Sequence, residues 1–574
     1  MYLRSTAQKR KDGSVIRYLQ LAHNVWDPQA KRSRAEIVWS FGREDAANRA
    51  ALERLVASVS RFLTPEAALS ASACPDFSFI ESRPLGGAYV LDALWQRLGI
   101  DATLRRLLKG RRLDASAERV LFALVANRAL CPSSKLAASR WVSEDVEIQG
   151  LPETSDDRCY RAMDFLLEIA PALEKEVFHQ VATLLNLEVD LLFFDTTSTY
   201  FSRDEADDPV YRDGRGHPLS ESGGIGPDED QDGTSSGFRT YGKSKDHRDD
   251  LPQIVIGMAV TREGIPVRVW SWPGNTADSA LIRQVKEELR DWTLSRVVWV
   301  ADRGFSSALN RRYLRRGDHH YIIGERLRSG SALSQAALSR AGRYQKVREN
   351  LKVKEVRIAE GERFVICFNP EAAERDAEMR TRLVARLTEM ISGSDRLSLS
   401  KRAELRGVIS TKPGLQRYLR VTAGGLLRID AQAATAEEKL DGKYLLRSSD
   451  PSLSAEDIAL GYKQLLEVER GWRDMKHVLD LRPVYHRKEE RIRAHVLLCW
   501  LALLLIRVAE ISCGETWPTL RRELQRLQVG TFAGPAGSFR RRTQITRTQG
   551  AILSALKLPE PPEIQELTAT ATAS

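Results

Sequence analysis

Apolar residues recur along this chain with two different periods, and the changes of period divide it. Near the amino terminus they alternate, over residues 15–21 and again over 35–41, with the hairpin signal Asp12-Gly13 ahead of the first run. A small β-meander is predicted over residues 1–43, with basic tips at Lys9-Arg10-Lys11 and Lys31-Arg32, and then a helix over about 45–62. Pro65, Pro75 and Pro84 mark a linker over 63–84. From 85 to 185 the spacing becomes helical: Val90-Leu91, Leu94-Trp95 and Leu98, then Val120-Leu121, Leu124-Val125 and Leu130, with Ser155-Asp156-Asp157 placed to cap a further helix.

Two later apolar runs each end in an aspartate. Residues 191–194 run into Asp195 and residues 297–301 into Asp302; both read as short buried strands with the acid at the exit. Between them the polar segment 202–237 is predicted to be a mobile loop. Its stretch 228–233 resembles the start of a calcium loop. The twelfth position, however, is Arg239 rather than a glutamate, so it reads as a solvated acidic loop. Runs 253–260 and 267–272 flank Gly264-Ile265-Pro266 as a hairpin, and a helix over about 279–292 leads to the Asp302 strand. Three strands, a helix and a fourth strand are the opening order of an RNase H-like α/β core. Further β runs at 321–323, 353–358, 364–368 and 444–447, with a charged helix over 371–392, predict an α+β subdomain inserted at 331–450. Residues 458–479 read as one helix, 494–510 as a buried helix, and 559–574 as a disordered tail.

One face of the 458–479 helix carries Tyr462, Leu465, Glu469, Trp472 and Lys476, at steps of three and four. A carboxylate on this half-apolar stripe is costly unless a metal or hydrogen bonds compensate it. Asp195 and Asp302 at neighbouring strand ends, with Glu469 from a helix beside them, would make a three-carboxylate site. Hard oxygen ligands suit Mg²⁺ or Mn²⁺, and two such ions about 3.5–4 Å apart would serve phosphodiester chemistry.

The order Asp195, Asp302, Glu469 resembles the DDE triad of bacterial insertion-sequence transposases. The helix is similar to the Tyr-x2-Arg-x3-Glu-x6-Lys signature of the insertion-sequence-four superfamily, with Tyr462, Glu469 and Lys476 on the spacing and Leu465 in place of the arginine. Asp302-Arg303-Gly304-Phe305 resembles the second-aspartate motif, and 274–279 the stretch before it. The resemblance covers roughly residues 190–510. It implies that Asp195, Asp302 and Glu469 are catalytic and ligate two Mg²⁺ or Mn²⁺ ions. It further implies that Tyr462, Lys476 and Arg473 hold phosphates, and that Trp272 stacks on a base near the cut. The partners it implies are double-stranded DNA, both the terminal inverted repeats and the target, and a second copy of the chain in a homodimer. The expected organisation is a meander and helix over 1–62 and a helical DNA-binding block over 63–185. The catalytic core follows in two parts, 186–330 and 451–510, on either side of the insert, and a basic tail occupies 511–574.

Composition changes this picture little. The 574 residues are 42% hydrophobic and 29% charged, ordinary for a globular protein of several domains. The net charge of +10 matters because it clusters: Arg470, Arg473, Lys476, Arg482, Arg487, Lys488, Arg491 and Arg493 follow the glutamate closely, and a polyanion is their natural partner. Six scattered cysteines without metal-ligand spacing, and no apolar leader, fit a cytoplasmic protein. The function expected is DNA transposition. A nuclease or resolvase without strand transfer, or an inactive DNA-binding relic, are the alternatives.

Overall fold

Three antiparallel strands, Tyr2–Lys9, Val15–Asp27 and Arg32–Arg43, form the predicted meander with the middle strand in the centre. The computed structural model describes residues 2–44 (except 12, 13 and 29), residue 52, and 77–569 (except 186–189, 220–233, 293–295, 329, 360, 361, 535 and 536). The helix expected over 45–62, apart from residue 52, most of the 63–84 linker and the acidic stretch 228–233 lie outside the described residues. The chain divides into two units: residues 1–81, 530–541 and 564–574, and residues 82–529 with 542–563.

Two sequence readings change at the first unit. The end of the linker is a strand, Ser78–Pro84, in a four-stranded sheet with Gln528–Gly534, Gly537–Arg542 and Ile564–Ala569. The tail read as disordered therefore contributes a strand: Ile564–Ala569 pairs antiparallel with the basic strand before it, setting Glu566 opposite Arg540. Cross-strand partners supply an order that local composition does not reveal.

In the second unit the helical block is present as five helices: Gly86–Arg97, Ile100–Leu108, Ala117–Leu130, Lys135–Glu144 and Asp156–Leu185. The first, third and fifth of these pack on Glu489–Cys513, a 25-residue helix that is long and apolar enough to cross a membrane and is buried over most of its length. It carries an almost unbroken run of buried residues because other elements cover it on all sides.

A nine-stranded mixed sheet lies against this helix. Its centre is three parallel strands, Leu191–Tyr200, Val298–Ala301 and His320–Glu325. Beyond the first, Gln253–Val260 and Pro266–Pro273 continue antiparallel. Beyond the third, Lys443–Ser448, Glu362–Phe368, Leu351–Ala359 and Gln345–Arg348 extend the same sheet, all antiparallel. The helices Pro370–Ile391 and Leu399–Ser410 have a small core of their own around Leu387, Ile409, Leu415 and Tyr418.

Strand alternation sends successive residues to opposite faces. Leu191, Phe193, Val300 and Ile322 pack with Val468, Met475 and the long buried helix. Leu192, Phe194, Trp299 and Ile323 pack with Leu281, Ile282 and Val285 of the helix Asp278–Glu288. The polar segment after Tyr200 is not wholly a loop. Val210–Arg212 pairs with Thr234–Ser236, and the buried Arg212 guanidinium donates two hydrogen bonds to Glu489, at 2.9 and 3.1 Å.

Candidate active site

Register brings the two aspartates together. Parallel pairing between their strands ends at Phe194 opposite Ala301, so the next residues, Asp195 and Asp302, stand side by side where the strands diverge. Asp195 is mid-strand rather than at its exit, because the strand continues to Tyr200 on its antiparallel partner alone. By alternation Asp195 shares the face of Leu191 and Phe193, and Asp302 that of Val298 and Val300. That is the face the Glu469 helix covers.

The predicted single helix is two: Ala455–Lys463, opened by a Ser454–Asp457 capping box, and Leu466–His477, with a turn at Gln464–Leu465. The face survives the break. Asp195, Asp302, Tyr462, Leu465 and Glu469 line one open cleft of about 350 Å³, with Tyr444, Lys463 and Leu466. The Tyr462 hydroxyl donates to Asp302 Oδ1 at 3.2 Å, and its ring stacks on Tyr444. Gly324 admits this contact: a Cβ there would lie 2.5 Å from the Tyr462 hydroxyl. Ion pairs anchor the second helix to the long one, Asp474 to the buried Arg507 at 2.6 Å and the partly exposed Arg470 to Glu510 at 3.0 Å.

Burial pushes the Asp195 carboxyl up to about 6; Lys245 pulls it down, and the nearby Asp302 and Asp278 charges push it further up. Glu469 is exposed, and among the described residues neither it nor Asp195 forms an ion pair. The three carboxylates offer the oxygen donors that hard divalent cations prefer. Among the described residues, no three acidic, histidine or cysteine side chains form a closed ligand set. The acids face one cleft from three elements.

The far end of the signature also reaches the sheet. Lys476 Nζ donates to Thr197 Oγ1 at 2.8 Å, two residues beyond Asp195 on the same face, and to Asp246 Oδ1 at 3.0 Å. Burial lowers the Lys476 pKa, and Asp246 opposes that. Asp246 also accepts from Arg482 at 2.7 Å. Beyond lies a larger cleft, about 690 Å³, lined by Arg203, Arg239, Lys476, His477, Arg482 and Arg487. On the other sheet face Lys245 pairs with Asp278 at 3.0 Å, and Thr196 donates to the same carboxylate at 2.8 Å. Asp246, Thr197, Lys245 and Asp278 escaped the sequence reading; the Lys243–Lys245–Asp246 cluster just before a strand was the available signal.

Arg473 is exposed on the Glu469 helix, outside both clefts' linings. Trp272 departs from its expected role. It is buried, stacks on Trp270, and donates its indole N–H to Gln284 at 3.0 Å, so its ring is held in the packing between sheet and helix rather than offered to a base.

Two families match the chain: a transposase DDE domain over residues 229–505, which contains Asp302 and Glu469 and begins after Asp195, and the N-terminal domain of IS1634 family transposases over residues 3–69. No curated protein matches. Among solved structures, the piggyBac transposase in a synaptic complex with hairpin DNA is similar at 12% identity and a TM-score of 0.35, over 78% of this chain and 82% of that one. The chain belongs to the DDE transposases of insertion sequences.

Proposed function

We propose that this transposase cuts the ends of its element and joins them to target DNA at the cleft between Asp195, Asp302 and Glu469. The observation that carries this is the convergence of the three acids on one cleft from two adjacent parallel strands and the helix over them. The strand order around them supports an RNase H-like core: a three-strand antiparallel meander, then two strands parallel to the first on its other side. The proposed core is 186–330 with 451–510. The insert 331–450 extends its sheet, and the meander and helical block precede it.

Asp195, Asp302 and Glu469 would hold divalent cations, Mg²⁺ or Mn²⁺, two of them in this reading. Such ions, when bound, activate an attacking oxygen and stabilise the leaving one. The protein's own groups orient and hold. Tyr462 fixes the Asp302 carboxylate through its hydrogen bond. Thr197 and Asp246 fix Lys476 at the boundary between the acids and the basic cleft. There its charge meets a DNA phosphate beside the scissile one. Arg203, Arg239, Arg482 and Arg487 line the path of the strand beyond. Water attacks at the element's end and leaves a 3′-OH; that 3′-OH then attacks a target phosphodiester, so no external energy source is needed. Two ends joined together call for two copies of the chain, and the protein acts on the bacterial nucleoid in the cytoplasm.

The test is cleavage and joining, in Mg²⁺, on a DNA fragment carrying the element's own ends, by wild type and Glu469→Gln. Loss of both steps with DNA binding retained supports the assignment. Undiminished activity in the variant removes Glu469 from the site, and cleavage without joining by the wild type makes the protein a nuclease.

A further inference from the structure

Sheet hydrogen bonds stop holding the two aspartate strands together just before the aspartates. The parallel ladder ends at Phe194 opposite Ala301. Beyond it Asp195 and Thr196 keep a sheet partner on the antiparallel side alone, Met258 and Gly257. Strand ends released from a ladder fray readily, and the gap that fraying would widen here lies between Asp195 and Asp302.

Lys245 and Asp278 close that fork. Lys245 Nζ donates to the Thr196 carbonyl at 2.6 Å and to Thr196 Oγ1, and it pairs with Asp278 Oδ2 at 3.0 Å. Its backbone N–H donates to Ser198 Oγ at 2.9 Å. The buried Thr196 hydroxyl donates in turn to Asp278 Oδ1 at 2.8 Å. Asp278 opens the helix Asp278–Glu288. In the same first turn the Ser279 carbonyl accepts from Nδ2 of the buried Asn310 at 2.8 Å, and that amide also donates to the Phe305 carbonyl at 3.3 Å, in the turn that follows Asp302. One helix start is therefore tied to the residue after Asp195 on one side and to the turn after Asp302 on the other. An ammonium has three N–H donors, and Lys245 has three protein acceptors, so it has none to spare for a DNA phosphate.

We infer that Lys245 and Asp278 are positioning residues: through Thr196 they fix the spacing of Asp195 and Asp302 for the divalent ions those acids hold. The inference rests on the reading of Asp195, Asp302 and Glu469 as the cation-holding acids. Ligating groups work only when held within about 0.5 Å of their productive geometry, and here the sheet itself no longer holds them.

The test is Mn²⁺ binding by the full-length protein without DNA, at about pH 8 where carboxylates are ionised, read from the electron paramagnetic resonance signal of the free ion. For Lys245→Ala, charge and positioning give opposite signs. Removing a cation beside the acids tightens Mn²⁺ binding if its charge is all that matters. Loss of the tie is expected to weaken binding about 10–100-fold, the scale for partners that orient metal ligands. Thr196→Val changes no charge, and Lys245→Ala/Asp278→Asn leaves the net charge of the site as it was; both are expected to weaken Mn²⁺ binding on the same scale. Lys245→Arg, which keeps the charge and the donors, is expected to stay closer to wild type. Duplex affinity in chelator is expected to be unchanged in all four. Tighter or unchanged Mn²⁺ binding in Lys245→Ala overturns the inference. So does weaker duplex binding with Mn²⁺ binding intact, which makes Lys245 a phosphate contact. Thr196→Val nearly keeps the side chain's shape, so it decides the matter if loss of the lysine unfolds the protein. If Glu469→Gln loses Mn²⁺ binding while these variants do not, only this inference fails. If Glu469→Gln binds Mn²⁺ as the wild type does, the proposed site fails with it.

Discussion

The Tyr462 hydroxyl donates to Asp302 Oδ1 at 3.2 Å across 160 residues of sequence, tying the first signature residue to the second acid of the proposed site. In the proposed site this hydroxyl would orient a metal-ligating carboxylate, and loss of such a partner costs about 10–100-fold in metal affinity or activity. Tyr462→Phe is expected to raise the Mg²⁺ concentration needed for half-maximal cleavage by about that factor while leaving DNA affinity in chelator unchanged. An unchanged Mg²⁺ requirement would show that the hydroxyl has no orienting role.

Gly324→Ala tests the same contact from the other side. The new Cβ would fall 2.5 Å from the Tyr462 hydroxyl and 3.3 Å from the Arg303 amide, on a buried strand where backbone cannot yield. Its cleavage profile should match that of Tyr462→Phe, with an added stability loss of about 1–3 kcal/mol from overpacking, read by urea unfolding.

Asp195 gives a pH dependence of defined sign. Its carboxyl is pushed from 3.8 to about 6, chiefly by burial. A raised folded value means that the protonated form is favoured by folding. Its contribution is fully present below about pH 4 and lost as pH rises through about 6. In chelator, Asp195→Asn should therefore be more stable than wild type at pH 8, by about 2–3 kcal/mol, and the two should converge near pH 4. Divalent ions need the ionised form, so Mg²⁺ affinity of the wild type should fall about tenfold per pH unit below 6. Equal stability of the two proteins at pH 8 would contradict the burial of this carboxylate.

Arg212 fastens the segment after the Asp195 strand to the long buried helix through Glu489. Glu489 keeps a second partner, Arg493 at 2.7 Å, so removing Arg212 costs its own charge-assisted hydrogen bonds rather than stranding a charge, about 1.5–3 kcal/mol. Arg212→Ala should lose about that much stability and gain a protease cut within residues 202–237. Resistance of the variant to limited proteolysis would mean that the hairpin holds without the pair.

Local pattern pointed to the proposed site because its three acids each sit at a change of pattern: Asp195 and Asp302 end apolar runs, and Glu469 interrupts an apolar stripe. The stripe stayed readable across the turn at Gln464–Leu465, since Tyr462 and Glu469 both reach the cleft. What the sequence concealed depends on distant partners. Val210–Arg212 lies in polar sequence and is held by a residue 277 positions later. Ile564–Ala569 is ordered by the strand it pairs with. Trp272, an aromatic near a hairpin end, carried no mark separating a reader of bases from a core residue; its Gln284 partner comes from the next helix. Asp246 becomes visible only once Lys476 and Arg482 close on it.

The stretch 331–450 between Asp302 and Glu469 is woven into the sheet by hydrogen bonds between Lys443–Ser448 and both His320–Glu325 and Glu362–Phe368. It therefore cannot be trimmed away as an appendage. Excising it would strip the third parallel strand of its neighbour and turn an interior strand, buried on both faces, into a bare sticky edge that recruits other chains. The 166 residues that part the second acid from the third are thus masonry rather than slack: they close off one flank of the very sheet on which the aspartates stand.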